Sequence, residues 1–158
     1  MTKTTFELQL LKALTNRIAA DGVEAVALRW PLTKWAHQPI DIIVDSEDID
    51  YYLAIECKSI KRSNKNGLYF SGQFTQKAFS DQFIEEADYI TRSGRRGFCA
   101  VEIWGSAGNT CHVIPWGDLW AIYAGGFPGL TPSQIAEYPG PERKNGGYFI
   151  SSWDRLFK

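Results

Sequence analysis

The feature that most constrains this chain is a pair of short apolar runs with three charged residues set into them. Pro39-Ile40-Asp41-Ile42-Ile43-Val44 and Tyr51-Tyr52-Leu53-Ala54-Ile55-Glu56-Cys57-Lys58 flank an acidic, turn-rich segment, Asp45-Ser46-Glu47-Asp48-Ile49-Asp50. β-Branched and aromatic residues in runs of that length, separated by turn formers, predict two strands of a hairpin. Alternate residues of a strand share a face, so Glu56 and Lys58 project together while Ile55 and Cys57 face the other way. Pairing across the turn can then bring Asp41 beside Glu56. Two carboxylates and a lysine on one side of a small sheet suit a hard divalent cation with a positive charge next to it. The same residues also read as a solvated strand face with an ordinary ion pair.

The rest of the composition limits what such a site can serve. A chain of 158 residues can bury a core as one domain without staples. With 44% hydrophobic and 22% charged residues it has the make-up of a soluble globular protein. The net charge of −1 excludes a polycation, so a nucleic-acid binder must segregate its charge. It does: Lys58, Lys61, Arg62 and Lys65 cluster after the second strand, and Arg92, Arg95 and Arg96 further on, while acids gather at 45–50 and 85–88. Each basic cluster also reads as a solvated loop. Six tryptophans point either to a well-filled core or to rings exposed for stacking and subunit contact. Cys57, Cys99 and Cys111 lie in strand-like runs without Cys-x-x-Cys spacing, which argues against zinc and for reduced thiols in a cytoplasmic setting. No apolar stretch approaches membrane-spanning length.

In chain order, Phe6, Leu10, Leu11, Leu14 and Ile18 predict a helix over 4–20, capped by Thr4 or Thr5 and stopped at Asp21-Gly22. Glu7 lies beside its apolar stripe, a place the helix dipole also favours. A strand over 23–30 ends at Pro31, and Lys34, Trp35 and His37 sit in the loop before the hairpin. Phe74, Ala78, Phe79, Phe83, Ala87 and Ile90 predict a second long helix over 73–93, ended by Gly94. Strands over 97–104 and 110–116 and a short helix through Tyr123 follow. The Gly- and Pro-rich tail from 125 reads as irregular, with an edge strand or core cover at 148–151. Helix, three strands, helix and two strands imply a crossover in a mixed sheet flanked by helices, an α/β fold.

Asp41 followed by Glu56-Cys57-Lys58 resembles the signature of the PD-(D/E)xK nuclease superfamily, with the proline, Pro39, one place early. The layout of Leu68-Tyr69-Phe70-Ser71-Gly72-Gln73, Ser80-Asp81-Gln82-Phe83, the strand over 97–103 and His112-Val113-Ile114-Pro115-Trp116-Gly117-Asp118-Leu119 is similar to that of the RecU and archaeal-type Holliday-junction resolvases. The resemblance covers roughly residues 4–122. It implies a restriction-endonuclease-like core at 1–124 and a C-terminal extension, 125–158, packed on the same domain. It implies that Asp41, Glu56 and the Cys57 carbonyl hold Mg²⁺ or Mn²⁺, that Lys58 orients the attacking water and balances phosphate charge, that Glu7 supports the metal site, and that Gln82 stands near the metal-bound water. Arg29, Thr33 and Lys34 are the counterparts of residues that contact DNA in that family, joined here by Lys61, Arg62 and Lys65. The implied protein is a homodimeric endonuclease that nicks four-way DNA junctions symmetrically. Two alternatives stay open: a restriction- or repair-type nuclease without junction specificity, and a non-catalytic nucleic-acid-binding module on the same fold.

Overall fold

The structure, a computed structural model, describes residues 3–31, 38–74, 76–77 and 80–158. Helix α1 (Lys3–Asp21) leads into strands β1 (Ala25–Arg29), β2 (Ile42–Ser46) and β3 (Leu53–Lys61), with a 3-10 turn at Ile49–Tyr51 between the last two. Strand β4 (Leu68–Tyr69), the short helix α2 (Phe70–Gln73) and the paired dipeptides β5 (Gln76–Lys77) and β6 (Ser80–Asp81) precede helix α3 (Gln82–Ser93). Strands β7 (Arg96–Trp104) and β8 (Thr110–Pro115) and helix α4 (Trp116–Ala124) follow. The tail forms β9 (Gly129–Leu130), α5 (Pro132–Ile135), the hairpin of β10 (Glu142–Lys144) and β11 (Gly147–Phe149), and α6 (Trp153–Phe157).

Five strands pair in the order β1-β2-β3-β7-β8, all antiparallel except β3 with β7. A parallel pair cannot be closed by a hairpin, so the chain crosses over between them, and α3 lies in that crossover. The α/β class and the element order are those the sequence predicts. Strand alternation then sorts the core. Ile42, Val44, Leu53, Ile55 and Cys57 pack with Phe6, Leu10, Leu14 and Ile18 of α1, while Ile60, Cys99, Val101 and Ile114 pack with Phe83 and Leu119 on the other face.

Two expectations are corrected. The second helix runs over 82–93 and not 73–93, because Asp81 caps it: its Oδ1 accepts from the backbone N–H of Phe83 at 3.0 Å and of Ile84 at 3.3 Å. Phe74 has extended backbone, ends α2 and still packs in the core beside Phe83; Ala78 and Phe79 lie outside the described residues. The tail, in turn, is built of short elements. Its strand at 147–149 pairs with β10 and not with the main sheet, and Tyr148, Ile150, Trp153, Leu156 and Phe157 enter the core that Phe6 shares. Glycine permits the close approach: a Cβ at Gly140 would overlap the Cys111 carbonyl oxygen on β8. A smaller shift affects α1, which begins at Lys3, so Thr4 and Thr5 lie inside its first turn rather than capping it.

The later arginine cluster is engaged within the fold. Arg95 donates from Nη2 to Asp45 Oδ1 at 2.6 Å, from Nη1 to Val44 O at 2.9 Å and from Nε to the Tyr89 hydroxyl at 3.1 Å, and its guanidinium lies 4.2 Å from the Tyr52 ring centre. One side chain thus ties β2, the turn beyond it and α3 together. Arg95→Ala is expected to lower unfolding free energy by about 2 kcal/mol, read as an earlier denaturant midpoint with unchanged circular dichroism. A second tie is the Tyr51 hydroxyl, which donates to Asp21 Oδ2 at 2.8 Å. Burial, then Asp21, pushes the phenol up to about 12. A pKa raised on folding contributes stability below the ordinary tyrosine pKa, and that contribution is lost as pH rises through the folded value. Denaturant midpoints of wild type and Tyr51→Phe should therefore converge between about pH 10 and 12.

Candidate active site

The register of the hairpin creates the site. β3 is nine residues long, but only Leu53, Ala54 and Ile55 pair with β2, which starts at Ile42 opposite Ile55. From Glu56 onward the β2-facing edge of β3 has no strand partner among the described residues, and Asp41 stands at its beginning. The backbone N–H of Cys57, left without a strand partner on that edge, donates to Asp41 Oδ2 at 2.8 Å. Gln38 Nε2 donates to the other oxygen, Oδ1, at 2.6 Å. Asp41 and Glu56 meet at this edge, both buried.

Their shared environment separates the two acids. Burial, then the adjoining Asp41 carboxylate, pushes Glu56 well above the usual carboxylate range, although Lys58 and Lys3 act against it. For Asp41 burial also acts upward, but the hydrogen bond with Glu56, the Lys3 ammonium and the Cys57 N–H outweigh it and hold the carboxyl low. The pair's surroundings therefore favour the neutral form more at Glu56 than at Asp41. The Cys57 thiol faces the opposite core and is held neutral by burial and the nearby acids, so only its backbone is available to the site.

Helix α1 supplies the third acid. Glu7 Oε2 accepts from Arg29 Nη2 at 2.8 Å and Nε at 3.1 Å, a charge-assisted pair from β1. Burial and then Asp41 raise the Glu7 carboxyl against the pull of Lys3 and Arg29. Lys3, one helical turn before Glu7, places its ammonium 3.1 Å from Asp41 Oδ2, 3.7 Å from Glu56 Oε1 and 3.8 Å from Glu7 Oε1. Burial alone would lower the Lys3 pKa, but the three acids raise it.

Lys58 shares the strand face of Glu56 and is buried. Its Nζ donates to the Gln73 carbonyl at 2.5 Å and lies 4.4 Å from the Phe74 ring centre. Gln73 also borders a hollow of about 310 Å³ lined by Lys61, Lys65, Tyr69 and Trp104, so two of the expected DNA-binding residues adjoin the backbone that holds Lys58. Arg62 is exposed nearby. Arg29 is committed to Glu7, Thr33 and Lys34 lie outside the described residues, and Gln82 Nε2 donates to Glu86 Oε1 at 3.0 Å on its own helix. Sequence reasoning missed Lys3 and Gln38. The one available signal for Lys3 was its four-residue spacing from Glu7 on a helix, and for Gln38 its place three residues before Asp41.

The donor set suits magnesium or manganese. Two carboxylates and one carbonyl suffice for an ion that keeps several waters, and the Cys57 carbonyl leaves β3 on the same uncovered edge as its N–H. Among the described residues no three His, Cys, Asp or Glu side chains converge as a complete cage. What stands between the three acids is the Lys3 ammonium.

No family model and no curated protein matches the chain. A solved structure of Hjc, a Holliday junction resolvase from the archaeal hyperthermophile Archaeoglobus fulgidus, is similar over 73% of this chain and 78% of that one, with 20% identity and a TM-score of 0.47.

Because burial and the adjoining Asp41 favour the neutral form of Glu56, a neutral isostere should be tolerated there. Glu56→Gln is expected to stay within about 1 kcal/mol of wild-type stability in EDTA, whereas Asp41→Ala, which leaves the Cys57 N–H only its 3.3 Å contact with Glu56 Oε1, loses about 2 kcal/mol, both measured by denaturant titration at pH 7.

Proposed function

We propose that the chain is a metal-dependent DNA endonuclease of the PD-(D/E)xK kind, with a four-way junction as substrate and a homodimer as the active form. The observation that carries this reading is the meeting of Asp41 and Glu56 at the uncovered edge of β3, with Lys58 two residues on along the same face. Asp41, Glu56 and the Cys57 carbonyl would hold Mg²⁺ or Mn²⁺. The bound ion would supply a water that is nucleophilic at neutral pH and offset the charge growing on the phosphate oxygens.

The protein's own groups have distinct tasks. Asp41 is oriented by Gln38 and by the Cys57 N–H, so its carboxylate is placed before any ligand arrives. Glu56 would hold the ion as a carboxylate, since a ligating carboxyl must be ionised. Lys58, fixed by the Gln73 carbonyl, offers a preplaced positive charge to the transition state. Glu7, held by Arg29, supports the acids from α1, and Gln82 stands near the metal-bound water as the resemblance implies. Lys61, Arg62 and Lys65 take the DNA backbone, with Thr33 and Lys34 from the loop before the hairpin. Two symmetric nicks across a junction need two sites related by a two-fold axis, which is the reason for a dimer.

One observation favours a second reading, a DNA-binding module without catalysis: a cation of the chain's own, Lys3, stands among the acids. The two readings part in one experiment. A labelled four-way junction and a matching linear duplex are incubated with wild type, Asp41→Asn, Glu56→Gln and Lys58→Ala, in Mg²⁺, Mn²⁺ or EDTA. Paired nicks in the junction alone, absent in EDTA and lost by at least about a hundredfold in each variant, are the expected result. Cutting of both substrates keeps the nuclease and removes the junction. Salt-dependent binding without cutting, from folded wild type in either metal, leaves the module.

A further inference from the structure

We propose that Lys3 is a built-in counter-cation that holds the metal position of the acid cluster, so that a divalent ion binds only by displacing it. The inference rests on the metal-site reading above and concerns what controls loading of that site. The Lys3 ammonium lies within 3.8 Å of carboxylate oxygens from three separate segments, Glu7, Asp41 and Glu56. All three acids are buried, which leaves them few other sources of compensating charge. The contacts of 3.1 Å to Asp41 and 3.7 Å to Glu56 are those of a compact ammonium, whereas carboxylate oxygens that hold Mg²⁺ do so at about 2.1 Å. The two cations cannot share the space.

The second positive group of the cluster shows why Lys3 is the one to leave. Arg29, at the end of the edge strand β1 and with 33% of its side chain exposed, binds Glu7 Oε2 through two nitrogens of a planar fork and approaches no other acid of the cluster among the described contacts. Lys3 sits on the first turn of α1 with 41% of its side chain exposed, at the end of a flexible four-carbon stem. Arg29 is therefore permanent compensation for Glu7, and Lys3 is exchangeable compensation for the Asp41–Glu56 pair. Release of Lys3 would also free an ammonium at the rim of the site, where a DNA phosphate is its natural partner. Metal loading and DNA binding would then favour one another through one residue.

The test is the affinity for Mn²⁺ alone, measured by isothermal titration calorimetry on wild type, Lys3→Gln and Lys3→Arg, with circular dichroism to verify folding. Competition predicts that Lys3→Gln binds Mn²⁺ at least about fivefold more tightly than wild type, while Lys3→Arg, which keeps the charge, does not. Equal affinity in all three proteins overturns the inference and leaves the metal site intact. Weaker binding in Lys3→Gln also overturns it, and makes Lys3 a residue that preorders the carboxylates. No binding to any of the three at millimolar Mn²⁺ overturns the metal-site reading itself, and the inference with it. A fourth protein, Glu56→Gln in the Lys3→Gln background, separates specific from stray binding: the tighter affinity must vanish there.

Discussion

Carboxylates taken out of water must be given positive charge, hydrogen bonds or a proton, and one end of this fold is arranged around that demand. Glu7, Asp41 and Glu56 are each met in a different way. Glu7 receives a guanidinium, Asp41 receives an amide, a backbone N–H and an ammonium, and Glu56 receives a hydrogen bond with Asp41 and the edge of the same ammonium. None of these solutions is local to one element. The acids come from α1, from the residue before β2 and from β3, while the compensating groups come from α1, β1, the loop before β2 and the backbone of β3. The hairpin register makes this possible, because β3 continues beyond Ile55 without a strand partner on that side among the described residues.

The aromatic surplus serves the core far more than any binding surface. Phe83 alone meets Phe70, Phe74, Trp116 and Tyr123 at ring-centre distances of 4.8 to 5.2 Å, and Trp153 stacks on Tyr51 at 4.4 Å while its indole N–H bonds Asp50 O. These clusters hold α3 and α4 to one sheet face and the C-terminal α6 to the other, which keeps β3 rigid between them. A rigid strand matters for the site: Glu56 and Lys58 are presented on one face at fixed spacing only if the strand that carries them cannot slip.

What could be read from the sequence is what depends on period and local chemistry. The two central strands, the face shared by Glu56 and Lys58, and the apolar stripe of α1 all follow from side-chain alternation or helical spacing. Sequence spacing places the start of α3 too early because apolar residues at helical spacing run back to Phe74, whereas Asp81 claims the first amides of the helix for its own side chain. The tail looked irregular because each of its elements is too short to show a period; its order comes from contacts with α1 and β8, more than a hundred or some thirty residues away in the chain. Arg95 looked like one of three basic surface residues, and its partners Asp45 and Val44 lie fifty residues earlier, beyond what any local window reports. Lys3 was invisible for the same reason: its helical spacing from Glu7 is local, but its contacts with Asp41 and Glu56 exist only once α1 is docked on the sheet.

Burial of an acid is not in itself what marks the site, and Glu102 makes the contrast. It is fully buried on β7, and its Oε2 accepts a single hydrogen bond from the Tyr148 hydroxyl, while Oε1 has no hydrogen-bond partner among the described residues. No ammonium or guanidinium is drawn to it in the described ion pairs, and β8 and the β10–β11 hairpin close over it. Asp41 and Glu56 differ in being two, in sharing a hydrogen bond, and in facing an edge where a partly exposed lysine stands. An isolated buried carboxylate can settle its electrostatics with a phenol. A pair at an open strand edge keeps attracting cations, and which cation it holds, the chain's own or one from solution, is then a matter of competition rather than of fold.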